Sequence, residues 1–157
     1  MKNLLQNGVS FGVTSGIITT LGLMVGLESS TNSRLAVIGG VLVIAIADAL
    51  SDAFGMHMNK ECEKKSDKLV WESTFSTFIS KFVIALTFIL PLLIFRLNMA
   101  IAVSVIWGLL LICLLSLNIA KSKNIKPGPI MTEHIAIAIV VVIVSYLTGM
   151  MVLAYFA

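Results

Sequence analysis

Five long apolar runs, separated by short polar connections, dominate the pattern along this chain of 157 residues. A helix that crosses a bilayer needs about 20 mostly apolar residues. The pattern therefore predicts an all-α integral membrane protein, in which one transmembrane domain of five helices occupies residues 1–157. The predicted spans cover residues 8–27, 35–58, 73–95, 99–118 and 134–156.

The predicted connections carry most of the polar residues. Residues 28–34 are rich in Ser, Thr and Asn, residues 59–72 are strongly charged, and residues 96–98 form a tight turn. Residues 121–132 contain Pro127 and Pro129, which we expect to forbid helix continuation and to break the chain before the last span.

The composition excludes a soluble protein. The chain is 58% hydrophobic and 12% charged, whereas soluble domains are about 45–50% apolar and about 25% charged. Cys62 and Cys113 fit neither a disulfide framework nor a CxxC metal spacing, and we expect no permanently bound cofactor. Residues 1–7 carry one lysine and lead straight into a full-length span, so no cleavable signal peptide is predicted.

The basic residues outside the predicted spans are distributed unevenly. The N-terminus, the second connection and the fourth connection carry eight lysines, against one arginine in each of the first and third connections. Because positive charges concentrate on the cytoplasmic side, the N-terminus is predicted to face the cytoplasm, of the cell membrane if the source is prokaryotic. This topology explains the formal charge of +3 without a nucleic-acid partner.

Two aspartates, Asp48 and Asp52, lie inside the second predicted span. A carboxylate near the bilayer centre costs roughly 2.5–3.5 kcal/mol on insertion scales. Residues four apart share one face of a helix. This cost indicates a use, which can be cation binding, proton relay or pairing with a buried base.

The polar face continues towards the end of the second predicted span. Carboxylate oxygens followed by a thioether suit Fe²⁺ or Mn²⁺ better than Ca²⁺ or Mg²⁺. The alternative is that the methionine packs and that the glutamates belong to a solvated charged connection. The predicted metal ligands are Asp48, Asp52, Met56, Glu61 and Glu63.

Lys81 is the natural basic partner for Asp52. It lies about eight residues, or roughly 12 Å, inside the third predicted span, at a depth similar to that of Asp52. Lys81 can instead extend its ammonium to the interface. Asp48 is deeper, and we expect no basic residue at its depth, which makes it the stronger functional candidate.

The first span has the pattern of a helix that packs closely against another helix. Gly8, Gly12 and Gly16 form a GxxxGxxxG ridge, which lets two backbones approach closely. We expect the ridge to form the interface of a homodimer. The hydroxyls of Ser15 and Thr19 either bind backbone carbonyls or line an ion path that includes Lys81.

Together these stretches resemble the vacuolar iron transporter family, which moves Fe²⁺ and Mn²⁺ out of the cytoplasm. Residues 15–26 resemble the first-helix pattern of the family, and residues 49–55, followed by two glutamates, resemble its second helix. Residues 74–93 resemble the third helix. Residues 126–129, leading to 145–149, resemble the fifth.

The resemblance implies a five-helix protomer, a homodimer with the ion path at or near the subunit interface, and exchange of divalent metal for protons. Two residues depart from the family pattern: Ser15 replaces an aspartate and Asp52 replaces a methionine. A carboxylate has moved between helices, or the site has changed its ion or been lost. The cytoplasmic metal-binding insert of the family is also missing, which implies weaker metal capture there.

Three functions are therefore compared. The first is a proton-coupled exporter of Fe²⁺ or Mn²⁺, which is not an enzyme and whose partners are the metal ion, protons and the lipid bilayer. The second is a non-transporting relative in which Lys81 neutralises Asp52. The third is a metal-dependent membrane enzyme of the CDP-alcohol phosphotransferase type, but the residues which that signature requires before Asp48 are absent.

Overall fold

A computed structural model of the chain describes the backbone of residues 2–156 and the side chains of residues 8–156. Over these residues the chain is helical, and five stretches are long and apolar enough to cross a membrane. This confirms the predicted all-α fold with five candidate spans. The helices are α1 (Lys2–Thr31), α2 (Arg34–Cys62), α3 (Asp67–Thr87), α4 (Ile89–Ile94), α5 (Leu97–Lys123) and α6 (Pro127–Phe156).

The connection between α5 and α6 is much shorter than predicted. Helix α5 continues to Lys123 and ends at Asn124, which adopts a left-handed conformation with φ of 53°. Helix α6 begins at Pro127. The predicted break before the last span is confirmed, but it covers residues 124–126 and not 121–132, because both prolines fall in the first turn of α6. A proline in the first turn of a helix removes no hydrogen bond, since the backbone N–H groups of that turn have no partner within the helix.

The third span is interrupted by a short break. Helix α3 ends at Thr87 and α4 begins at Ile89, with the fully buried Phe88 between them. Pro91 has no N–H to donate to the carbonyl four residues earlier, that of Thr87, and its ring crowds that carbonyl. The hydroxyl of Thr87 accepts a hydrogen bond from Trp107 Nε1 at 3.1 Å, which links the break to α5.

Helix α1 is the central element of the bundle. It packs against α2, α3, α5 and α6, and Ile17, Leu21 and Met24 on it are almost completely buried in the main apolar core. Gly108 on α5 lies directly against Leu21, so α5 approaches α1 closely. Helix α6 is mostly exposed and covers only one side of the bundle.

The glycine ridge of α1 packs against α3 of the same chain. A Cβ at Gly8 would lie 2.9 Å from the Ser73 carbonyl oxygen, and a Cβ at Gly12 would lie 2.6 Å from that of Thr77. All three ridge glycines, Gly8, Gly12 and Gly16, are buried by this contact. This corrects the expectation that the ridge is a dimer interface, because α3 already occupies the space that a second copy would need.

Candidate functional site

Lys81 lies in the middle of the third span with a relative exposure of 1%. It is about 14 residues, or roughly 21 Å of helix, from the start of α3 at Asp67. Asp48 is about equally far from both ends of α2. Both groups are therefore near the midplane of the bundle, and the Lys81 ammonium does not extend to either end of it.

The ammonium of Lys81 lies between two carboxylates. Its Nζ is 2.5 Å from Oδ2 of Asp52 and 2.6 Å from Oδ2 of Asp48. It also donates a hydrogen bond to Ser15 Oγ at 2.9 Å. The predicted ion pair with Asp52 is confirmed. The expectation that Asp48 has no basic partner is wrong, because the long side chain of Lys81 reaches both aspartates. We call Ser15, Asp48, Asp52 and Lys81 the Lys81 site.

Close packing of α1 on α3 makes this geometry possible. The Lys81 stem passes Gly16, where a Cβ would lie only 3.3 Å from Lys81 Cγ and 3.2 Å from the Lys81 carbonyl oxygen. A larger side chain would occupy the space through which the lysine stem runs. The glycine ridge therefore helps to position the ammonium.

The two carboxylates differ in how they are held. Oδ2 of Asp52 accepts hydrogen bonds from Ser15 Oγ at 2.6 Å and from Lys81. Oδ2 of Asp48 makes a close ion pair with Lys81 but has no hydrogen-bond partner among the described residues. The Asp48 side chain is also the more exposed, at 31% against 21% for Asp52. Asp48 is therefore the less constrained of the two acids.

The charges of the Lys81 site do not balance when all its groups are ionised. Two carboxylates face one ammonium, which leaves one negative charge in excess. A buried charge without a counter-charge is costly. The site therefore favours the uptake of one further positive charge, either a proton on a carboxylate or a bound cation.

The hydroxyls of α1 serve different purposes. Ser15 donates to Asp52 and accepts from Lys81, so it joins the charged network. Thr19 Oγ1 instead donates to the Ser15 carbonyl oxygen at 2.9 Å. Of the two alternatives for Thr19, the structure therefore has the bond to a backbone carbonyl.

A partly open cavity of about 570 Å³, lined mostly by exposed residues, lies next to Asp52. It lies between α1 and α2, and we call it the vestibule. Met56, one of the predicted metal ligands, lines it together with Asp52. The lining residues are Phe11, Ser51, Asp52, Gly55, Met56 and Asn59.

The two predicted glutamate ligands lie outside the Lys81 site. Glu61 pairs with His57 Nε2 at 3.4 Å, and Glu63 pairs with Lys60 Nζ at 2.9 Å. Hydrogen bonding from Lys60 lowers the pKa of Glu63 below its usual value. Among the residues that the structure describes, no three His, Cys, Asp or Glu side chains come together as a metal site. The five predicted ligands are therefore not gathered in one place.

The sequence reasoning missed the polar face that α3 turns towards the glycine ridge. Ser73 and Thr77 are fully buried there, and Thr77 Oγ1 donates to the carbonyls of Gly8 and Ser73. The signal was present in the sequence, since Ser73, Thr77 and Lys81 recur every four residues and so lie on one helix face.

No protein-family model, curated protein or solved structure matches this chain. The resemblance to the vacuolar iron transporters therefore remains a prediction from the sequence. A function for this protein is therefore inferred from the geometry of the Lys81 site.

Proposed function

We propose that this protein is a proton-coupled cation transporter in the membrane, and that the Lys81 site is where protons and cations exchange. The observation that supports this most strongly is one ammonium shared by two carboxylates near the middle of two candidate spans, with a negative charge in excess. Intramembrane acids and bases in such a position are typical of ion pathways and proton relays.

The charge balance gives the number of protons that one metal ion displaces. Without cargo, the site is neutral when one carboxyl carries a proton and Lys81 carries its charge. A divalent cation bound to both carboxylates restores neutrality if it displaces that proton and the extra proton of Lys81. Metal binding to groups that must first lose protons releases those protons. Asp48 is the acid proposed to exchange its proton, because its Oδ2 pairs with Lys81 but has no hydrogen-bond partner among the described residues.

Fe²⁺ or Mn²⁺ is the cargo proposed, in accordance with the resemblance stated above. The two carboxylates, with Met56 at the vestibule wall, supply oxygen and thioether ligands that suit these ions. The lysine distribution supports a cytoplasmic position for the end of α2 nearest the vestibule, so we propose that cargo enters from that side.

A non-transporting relative is the second candidate. The contact of 2.5 Å between Lys81 and Asp52 favours it, because a tightly paired carboxylate is a poor ligand for a moving ion. Asp48 separates the two candidates. In a transporter Asp48 gains and loses a proton, whereas in a non-transporting protein it only balances charge.

A flux measurement on purified protein in proteoliposomes tests this proposal. We expect an inward Mn²⁺ gradient to drive protons outward in wild type, read from a pH-sensitive dye inside the vesicles. Asp48→Asn keeps the size of the side chain and removes its charge, so Mn²⁺-driven proton movement should be abolished. Lys81 keeps Asp52 and Ser15 as partners, so this variant should stay folded.

The matched control is Asp67→Asn, the same change at an exposed position at the start of α3, which should exchange protons at the wild-type rate. Full Mn²⁺-driven proton movement by Asp48→Asn would contradict the mechanism. Wild-type protein that is folded but moves neither Mn²⁺ nor protons would favour the non-transporting alternative.

The proposed orientation is tested by labelling Cys62, which is exposed at the end of α2. In a Cys113→Ser background, a membrane-impermeant maleimide should label Cys62 in inside-out vesicles and leave it unlabelled in intact cells. Labelling from outside the cell would reverse the orientation and place the vestibule on the outer side.

A further inference from the structure

The vestibule is far larger than a proton or a metal ion requires. Its volume of about 570 Å³ falls within the range of about 300–1,000 Å³ that is usual for small-molecule sites. A water molecule, by comparison, takes about 30 Å³. The cavity therefore has room for an organic ligand.

The walls of the vestibule indicate the chemistry of that ligand. Asp52 is the one charged residue among the residues that line it, and Phe11 and Met56 supply an aromatic and an apolar surface. A cationic head near a carboxylate and an aromatic ring is favoured electrostatically. An apolar chain next to the head would cover Phe11 and Met56.

Lys81 itself shows how the site holds an alkylammonium group. Its head binds Asp52 Oδ2 at 2.5 Å and Ser15 Oγ at 2.9 Å, while its stem passes Gly16. Both Ser15 and Lys81 approach Oδ2 of Asp52, from the side of α1 and α3. The Asp52 side chain is 21% exposed and lines the vestibule, so a second positive charge can approach it from there.

From these observations we infer that the vestibule binds a primary alkylammonium ion, whose head pairs with Asp52 and whose chain lies along Phe11 and Met56. One monovalent cation supplies the one positive charge that the Lys81 site lacks, and Lys81 keeps its own charge. This inference rests on the site described in the proposed function and adds an organic cation to its ligands, in competition with the metal.

Two glycines on α2 provide a matched pair of test positions. Gly55 lines the vestibule, whereas Gly39 lies outside it, and a Cβ at either position meets no atom within 4 Å. Gly55→Leu should therefore fill the vestibule without a clash. Gly39→Leu adds the same side chain to the same helix and leaves the vestibule open.

The experiment is calorimetric titration of purified protein in detergent with n-hexylammonium chloride at neutral pH, with hexan-1-ol as the neutral probe of similar length. We expect saturable binding of about one hexylammonium per chain and no saturable binding of hexanol. Gly55→Leu should weaken hexylammonium binding by about tenfold or more, and Asp52→Asn should do the same through the loss of a charge-assisted hydrogen bond. Gly39→Leu and Asp67→Asn should bind as wild type does.

Equal binding of hexanol and hexylammonium would overturn the inference, since it would indicate only partition into an apolar surface. Unchanged hexylammonium binding by Gly55→Leu would also overturn it. If that variant fails to fold, the comparison of Asp52→Asn with Asp67→Asn gives the same decision. Protein that exchanges Mn²⁺ for protons but does not bind hexylammonium would overturn this inference alone. Protein that binds hexylammonium but moves no protons would overturn the proposed function alone.

Discussion

Replacement of both aspartates by Asn, in the variant Asp48→Asn/Asp52→Asn, is expected to lower the free energy of unfolding by about 3–5 kcal/mol, the usual cost of leaving a buried charge without its partner. Lys81 is almost completely buried, and these two carboxylates are its counter-charges in the structure. In the double variant only neutral groups surround the ammonium. Chemical denaturation in detergent, followed by intrinsic fluorescence, measures the loss.

The single variants should lose much less stability than the double variant. With Asp48 replaced, Lys81 still binds Asp52 and Ser15, and with Asp52 replaced it still pairs with Asp48. Either single change also removes the excess negative charge. The effects of the two changes should therefore be strongly non-additive, as expected for residues that share one partner.

Addition of Lys81→Met to the double variant supplies the control. This change removes the stranded ammonium and keeps an unbranched apolar side chain in its place. Replacement of a buried ionic group by an apolar one of similar volume is often neutral or stabilising, so most of the lost stability should return. A double variant as stable as wild type would contradict the structure, because it would mean that the charge of Lys81 does not depend on these carboxylates.

The pair between Lys81 and Asp52 was predictable from the sequence, but the contact with Asp48 was not. Depth counted from the predicted span boundaries places Lys81 about eight residues inside a span that begins at residue 73. Helix α3 begins six residues earlier, at Asp67. Its first turns are polar, so the hydropathy pattern does not include them. The additional contact with Asp48 arises because the long Lys81 side chain reaches two carboxylates that lie one helical turn apart, and a depth counted in residues does not include the length of that side chain. A hydropathy pattern locates the apolar middle of a helix, and the polar ends follow from hydrogen bonding that extends beyond it.

The glycine ridge shows a different limit of prediction from the sequence. The spacing of Gly8, Gly12 and Gly16 predicts a close helix contact, and the structure contains one. The spacing carries no information on whether the partner helix belongs to the same chain or to another copy. The partner is identified by the small polar residues of α3, such as Ser73 and Thr77, which fit against the ridge. That complementarity is apparent only when both helices are compared.

Gly12→Leu is expected to destabilise the protein by about 3 kcal/mol, at the upper end of what overpacking usually costs. Gly12 is the tightest of these contacts with backbone, since a Cβ there would lie 2.6 Å from the Thr77 carbonyl oxygen and 3.2 Å from the Lys81 backbone nitrogen. Neither backbone atom can move without the whole of α3. A leucine should therefore push α3 away from α1 and draw the Lys81 ammonium away from Asp52, so metal-driven proton exchange should fall along with stability.

Gly39→Leu is again the matched control, since its Cβ meets no atom within 4 Å, and it should unfold at nearly the wild-type denaturant concentration. A sizing column in the same detergent separates the two explanations of the ridge. If the ridge packs within the chain, Gly12→Leu loses stability while its oligomeric state before unfolding matches that of wild type. A Gly12→Leu protein of wild-type stability that elutes as a smaller species would instead place a second copy of the chain on the ridge, and would contradict the packing of α1 on α3 from which the Lys81 site is built.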